Sequence, residues 1–360
     1  MKQFVCNTKI ISGENALDAL KTLNARKVMV VTDPFFMENG TAAAIAQRTG
    51  AAQISYFDKV APDPSVTLAA EGTGALKAFQ PDTLIALGGG SAMDCAKAMA
   101  YFSGTDATFV AIPTTSGSGS EVTDFAILTH NGVKHPLVDS RLRPDLAILE
   151  ASLLEKLPKT LVADTGFDAI SHALEAFVAL DANAVTDALA KYAFATVLAL
   201  LPASYGGNTA VRPQIHLAST MAGMAFTQAG LGLCHAIAHA LGGAFHLPHG
   251  RLNAMLLPAV IECNAHAAAD RYARIAAAAG LGGSAETIAV RNLKNALVRL
   301  RRELHLPDTL AQAGISPAVV RNRTKELVDA ALADPCCATN PMKVEDFMVR
   351  RVLGAVAGHG

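Results

Sequence analysis

The chain has no tryptophan, only 5% aromatic residues and 17% charged residues, and a formal net charge of −1 over its 360 residues. So balanced a charge gives no electrostatic reason to expect nucleic acid or a membrane surface as partner. The opening stretch, MKQFVCNTKIISGENAL, lacks a basic segment followed by an apolar run, so no secretory signal is expected. The most apolar helical pattern, Tyr192 to Leu201, reads as too short to span a bilayer and is broken upstream by Lys191. Six cysteines lack CxxC spacing, which excludes a disulfide framework and favours a reducing, cytoplasmic setting. The basic cluster Arg299, Arg301 and Arg302 lies on a helical pattern and reads as a solvated face.

What is present is an alternation in the first half of short β-branched runs with helical patterns, implying a parallel sheet with crossover helices. KVMVVT (27–32) ends at Asp33, TLIAL (83–87) ends in Gly88-Gly89-Gly90-Ser91, and FVAI (109–112) runs into PTTSGSGSE. In open α/β sheets, ligands bind at such strand ends. The glycine turn opens the helical pattern SAMDCAKAMAYF, so its amides and the positive helix end would face an anion. Thr114, Thr115 and Ser118 add hydroxyls at the neighbouring strand end, and together these suggest a pyrophosphate cradle. Taken alone, a glycine turn is an ordinary turn, and Asp33 before Pro34 is an ordinary turn starter. The acidic strand end precedes the glycines, the reverse of the GxGxxG order, so a fingerprint Rossmann motif is excluded.

After Leu149 strand patterns stop. LEKLPKTLVADTG reads as a linker around Pro158, dividing 1–158 from 159–360, and the second half reads as helical. Asp168 and His172 stand four apart, as do His235 and His239, and His249 follows; each pair shares one helix face. A single histidine on an apolar helix is usually packed core. A carboxylate and several imidazoles at these spacings suit a divalent Fe or Zn ion. HAIAH lacks the glutamate of HExxH, so peptide hydrolysis is not expected. The metal candidates fall in one half and the phosphate loops in the other, which places the expected site in a cleft between domains.

Over essentially its whole length the sequence resembles the iron-dependent (group III) alcohol dehydrogenases. The motifs that carry the resemblance are GGGSAMDCAK (88–97), IPTTSGSGSEVT (112–123), TGFDAISHALEAF (165–177), GLGLCHAIAHALGGAFHLPHG (230–250) and TNPM (339–342). MAGMAFTQAGLGLCHAIAH looks closest to the 1-propanol and ethanol dehydrogenases of diol or ethanolamine breakdown. The resemblance implies a dehydroquinate synthase-like fold: an α/β N-terminal dinucleotide-binding domain with a parallel, Rossmann-like sheet, and an all-α C-terminal metal-binding domain. It implies Asp168, His172, His235 and His249 as ligands of Fe2+, with Zn2+ as the other candidate, and His239 as a neighbour facing the substrate, while His246 drops out. The same resemblance assigns Gly88, Gly89, Gly90, Ser91, Thr114, Thr115, Ser118 and Lys134 to NAD(H), with Asp94 nearby and Asp33 at the adenosine ribose. The implied reaction interconverts short primary alcohols and aldehydes by hydride transfer, helped by an apolar end lined by Phe226, Leu231 and Phe245 without charged neighbours. The alternatives are a glycerol or diol dehydrogenase of the same fold, or a non-catalytic nucleotide-binding or assembly protein. A homodimer or larger homo-oligomer and association with bacterial microcompartment enzymes are further expectations.

Overall fold

The computed structural model describes residues 3–130 and 132–358. These form two compact units: one runs from Cys6 to Leu157, and the other combines the described residues up to Val5 with those from Pro158 onward.

The first unit contains strands β1 (Lys9–Ser12), β2 (Lys27–Val31), β3 (Gln53–Phe57), β4 (Thr83–Gly88), β5 (Thr108–Pro113) and β8 (Leu146–Leu149). They form a six-stranded parallel sheet in the order β1-β8-β5-β4-β2-β3. Helices α1 (Pro34–Glu38), α2 (Thr41–Arg48), α3 (Val66–Phe79) and α4 (Gly90–Ser103) connect the early strands. Alternation along β2 explains the two-sided burial. Val28 and Val30 join Leu20, Ile45, Ile85 and Val110 on one face, and Met29 and Val31 join Leu76, Leu84 and Met99 on the other. Because β3 lies on one side of β2 and β4 on the other, the chain reverses direction across β2. The carboxyl ends of β2 and β4 therefore form a topological switch point, where ligands of such sheets bind. An antiparallel hairpin of β6 (Phe125–His130) and β7 (Val133–Val138) stands outside the sheet.

The second unit is helical: α5 (Lys159–Val178), α6 (Ala184–Tyr205), α7 (Arg212–Ala229), α8 (Leu233–Phe245), α9 (His249–Ala278), α10 (Glu286–Glu303), α11 (Pro317–Asn322), α12 (Thr324–Ala333) and α13 (Asp346–Ala357). Three sequence expectations change here. The presumed linker is mostly helix, because Pro158 stands just before α5 and the helix then runs unbroken through Thr165 and Gly166. Helix α6 is 22 residues long and, among the described residues, has the length and apolar composition to cross a membrane, contrary to the shorter reading. Its Ala190, Phe194, Val197 and Leu201 are buried, and Asp187 at its start is buried in an ion pair with Arg271. Of the basic cluster, Arg301 is not solvated: its guanidinium lies buried, donating to Asp308 and to the carbonyls of Ala254 and Met255.

Candidate metal centre and glycine-turn site

Helix α5 is buried along nearly its whole length, and its 3.6-residue repeat puts Asp168, His172 and Glu175 on one face. Helix α8 contributes His235, and the first turn of α9 contributes His249 with Asn253 one turn on. Gly250 lets α9 come this close to α5: a Cβ there would stand 1.9 Å from the Asp164 carbonyl oxygen. One donor atom from each of Asp168, His172, His235 and His249 lies within 4.8 Å of the others. The His172 ring stacks on His235 at 4.7 Å and on Phe226 at 4.4 Å, while His235 and His249 stand 5.2 Å apart. The Asn253 amide donates to Asp168 Oδ1 at 3.0 Å and stands 3.3 Å from Nε2 of both His235 and His249.

The electrostatics suit a cation. His235 is 1% exposed, and burial, reinforced by His172 and His239, holds its pKa well below the ordinary histidine value. A neutral imidazole keeps the lone pair that metal ligation needs. Three imidazoles and one carboxylate form a mixed nitrogen and oxygen set of the kind that takes zinc or ferrous iron.

Sequence reasoning missed several residues around this cluster. Glu175 is 3% exposed and meets His235 Nδ1 at 2.6 Å; it also accepts from the backbone N–H groups of Gly232, Cys234 and His235. Burial pushes its pKa up to about 7, against those donors. Its position, three residues after His172 and seven after Asp168, was the available signal, as was the four-residue step from His249 to Asn253. Asp334 meets His239 Nδ1 at 2.8 Å, 95 residues away in sequence, and no local pattern points to it. Burial opposes ionisation of Asp334, yet the His239 contact and the Cys336 N–H carry its pKa down to about 2. His239 stacks on His249 at 5.1 Å, and His246 is exposed and outside the cluster. Phe226 and Leu231 are buried, but Phe245 has the Arg323 guanidinium 5.2 Å over its ring, so the expectation of an uncharged surround fails there. A separation of 78 residues hid that neighbour.

In the α/β unit the glycine turn sits at the switch point. Gly88 has φ +149°, and a Cβ on it would meet Ala92 Cβ at 2.6 Å and lie 3.8 Å from Asp33 Oδ2. Cβ atoms on Gly89 and Gly90 would meet Thr115 Oγ1 and Ser118 Cβ at 3.3 and 3.2 Å, so both hydroxyl residues lie against the turn. The Thr114 N–H donates to the Gly88 carbonyl, and Ser91 opens the first turn of α4. Asp33 caps α1 by accepting the Phe36 N–H, and burial raises its pKa. Asp94 accepts from Ser120 Oγ and the Ile127 N–H, and Lys134 pairs with Asp63 at 2.7 Å. Lys97 is completely buried and donates to Ser120 Oγ, Thr123 Oγ1 and the Thr123 and Phe125 carbonyls, tying the 120–125 segment to α4.

Residues 7–151 match the family profile "Iron-containing alcohol dehydrogenase", and residues 162–356 match "Fe-containing alcohol dehydrogenase family, C-terminal". The chain belongs to the iron-containing alcohol dehydrogenase family. It is 40% identical over 366 residues to the 1-propanol dehydrogenase PduQ of Citrobacter freundii, covering 98% of this chain and 99% of the relative. It is 34% identical over 380 residues to an NADPH-dependent butanol dehydrogenase of Clostridium saccharobutylicum, covering 99% and 98% of the two chains. The sulfoacetaldehyde reductase of Bifidobacterium kashiwanohense, solved in complex with NAD+, superposes with a TM-score of 0.90 at 25% identity and full coverage of both chains. This dehydrogenase is thus an oxidoreductase acting on the CH–OH group, with the parallel sheet and helical second half expected of that family.

Proposed function

We propose that this dehydrogenase interconverts primary alcohols and aldehydes of roughly two to four carbons, propanol and propanal foremost, using NAD(H) and a ferrous ion. Convergence of Asp168, His172, His235 and His249 carries the reading. Identity of 40% to a 1-propanol dehydrogenase supports the substrate class. When bound, the divalent ion supplies Lewis acidity toward the alcohol oxygen and the nicotinamide supplies the hydride acceptor. The protein's own part is to hold and shield. Asp168 provides the one anionic donor, the buried His235 imidazole stays neutral, and the Phe226 ring walls His172 on its apolar side. With Nδ1 committed to Asp334, His239 keeps Nε2 free to carry a proton. At the sheet, the glycine turn with Thr114, Thr115, Ser118 and the start of α4 would receive the pyrophosphate. Asp33, with one carboxylate oxygen toward that turn, favours ribose hydroxyls over a 2′-phosphate. One relative uses NADPH, so membership of the family does not set this choice and the residue at position 33 carries it.

We also read the protein as cytoplasmic and homo-oligomeric, with β1, an outer strand of the sheet, as the pairing edge; association with microcompartment enzymes belongs to the same reading. The test is oxidation of NADH with propanal by protein loaded with Fe2+ and by protein stripped with a chelator. Activity restored by Fe2+ and fading gradually with chain length is expected. Preference for glycerol or for a charged aldehyde over propanal would overturn the substrate class.

A further inference from the structure

Glu175 is a buried carboxylate that pairs with no lysine or arginine among the described residues; what compensates its charge is the backbone N–H groups at the start of α8 and the His235 ring. Charge-assisted bonds to a helix N-terminus are among the strongest available to a buried carboxylate. One side chain thus grips both the helix that carries His235 and the ring itself. The local chain is shaped to admit it. Gly232 is extended, and a Cβ there would stand 2.9 Å from Glu175 Oε1 and 2.8 Å from Asn340 Oδ1, so any other residue would expel one of the two oxygens. Asn340 in turn accepts from the Leu233 N–H and exchanges amide hydrogen bonds with Asn264.

We propose that Glu175 is a positioning residue for the metal: by taking the proton-bearing Nδ1 of His235 it fixes the tautomer whose bare Nε2 faces Asp168, His172 and His249. The contact with Nδ1 is 2.6 Å, and Nε2 on the far side of the ring stands 3.3 Å from the Asn253 amide nitrogen, which lies equally close to His249 Nε2. With the carboxylate accepting at Nδ1, Nε2 is the nitrogen left bare. Carboxylates that hold a ligand imidazole in this way typically change metal affinity by about 10–100-fold when removed. The same face of α5 therefore supplies two donors, Asp168 and His172, and the group that aims a third.

This inference rests on the assignment of the four-residue cluster as the metal centre, and one titration separates the two. Chelator-stripped protein is titrated with Co2+, which reports its coordination through visible absorption. Wild type that takes up no Co2+, or takes it up unchanged in Asp168→Ala, removes the metal centre itself. If wild type binds and Asp168→Ala does not, Glu175→Gln is expected to bind about 10–100-fold more weakly with unchanged circular dichroism. In a His235→Ala background the same replacement is expected to change affinity by less than about twofold, because its effect runs through that ring. Equal affinity in wild type and Glu175→Gln would overturn the proposal, and so would an equal loss in both backgrounds, which would mark general loosening. Should Glu175→Gln fail to fold, wild-type protein labelled with 15N-histidine and loaded with Zn2+ gives the answer directly. His235 must show a protonated Nδ1; a proton on Nε2, or a bare Nδ1, overturns the assignment.

Discussion

The two binding regions of this dehydrogenase are built by opposite means. The helical unit assembles side chains: three imidazoles and a carboxylate, with buried Glu175 on His235 and the Asn253 amide against Asp168, His235 and His249. The α/β unit instead clears side chains away. Gly88 leaves room beside Ala92 and Asp33, Gly89 and Gly90 leave backbone facing Thr115 and Ser118, and the buried Lys97 ties down the neighbouring segment. The first region fails when a donor is removed, and the second fails when a carbon is added. Substitutions in one should accordingly leave the other's ligand untouched.

The largest effect is expected from removing a donor. Asp168→Ala should lose the ion, His235→Ala should hold it much more weakly, and both should lower turnover by more than about a thousandfold, while NADH binding, followed by fluorescence, stays as in wild type. Loss of NADH binding in either variant would end the separation. Next comes Asp33→Gly. A 2′-phosphate carries about 1.5–2 negative charges, and at about 5 Å and an effective dielectric near 20 each unit costs about 3 kcal/mol before screening. The ratio of kcat/KM for NADPH to that for NADH should rise about a hundredfold. Because Asp33 also caps α1, the variant should lose roughly a few tenths of a kcal/mol of stability; Asp33→Asn, which keeps a cap, separates the two effects. Gly88→Ala follows. Its positive φ and the Ala92 contact cost about 1–3 kcal/mol, which corresponds to roughly tenfold to hundredfold in NADH affinity. Iron content, measured by atomic absorption, should not change.

The smallest expected effect concerns Asp334. Its folded pKa of about 2 lies below the ordinary carboxylate value, so the folded state binds fewer protons than the unfolded state between them. Its stabilisation, about 1–2 kcal/mol, is therefore complete above about pH 4 and is lost as pH falls toward 2. Urea midpoints of wild type and Asp334→Asn should converge over that range. A constant gap would show that the His239 contact does not depend on the charge.

The sequence made some of this legible and hid the rest for physical reasons. Asp168, His172 and His235 declared themselves because helical spacing is local information, and the strand ends at Asp33 and Gly88 did so because buried parallel strands read as unbroken apolar runs. Spacing left His239, His246 and His249 undecided, since a turn stands between them: His246 ends α8 with φ +54°, and His249 begins α9 in a new direction. Arg301 was misread as solvated although it falls on the stripe of Leu293, Leu297, Leu300 and Leu304; its carbonyl partners on α9 are 46 and 47 residues away. Asp334 and Arg323 act through contacts of 95 and 78 residues, which no window of sequence contains.

The reach of Asn340 and Asp334 back to Leu233 and His239 fastens α8 with residues that are added late in synthesis. All four donors have been added to the chain by residue 249, yet the groups that fasten Leu233 and His239 are added nearly a hundred residues later. A nascent chain halted between those points carries every donor while part of its bracing is still unsynthesised. Since domains form as units during synthesis, the cofactor-binding unit is able to fold while the metal helices are still incomplete.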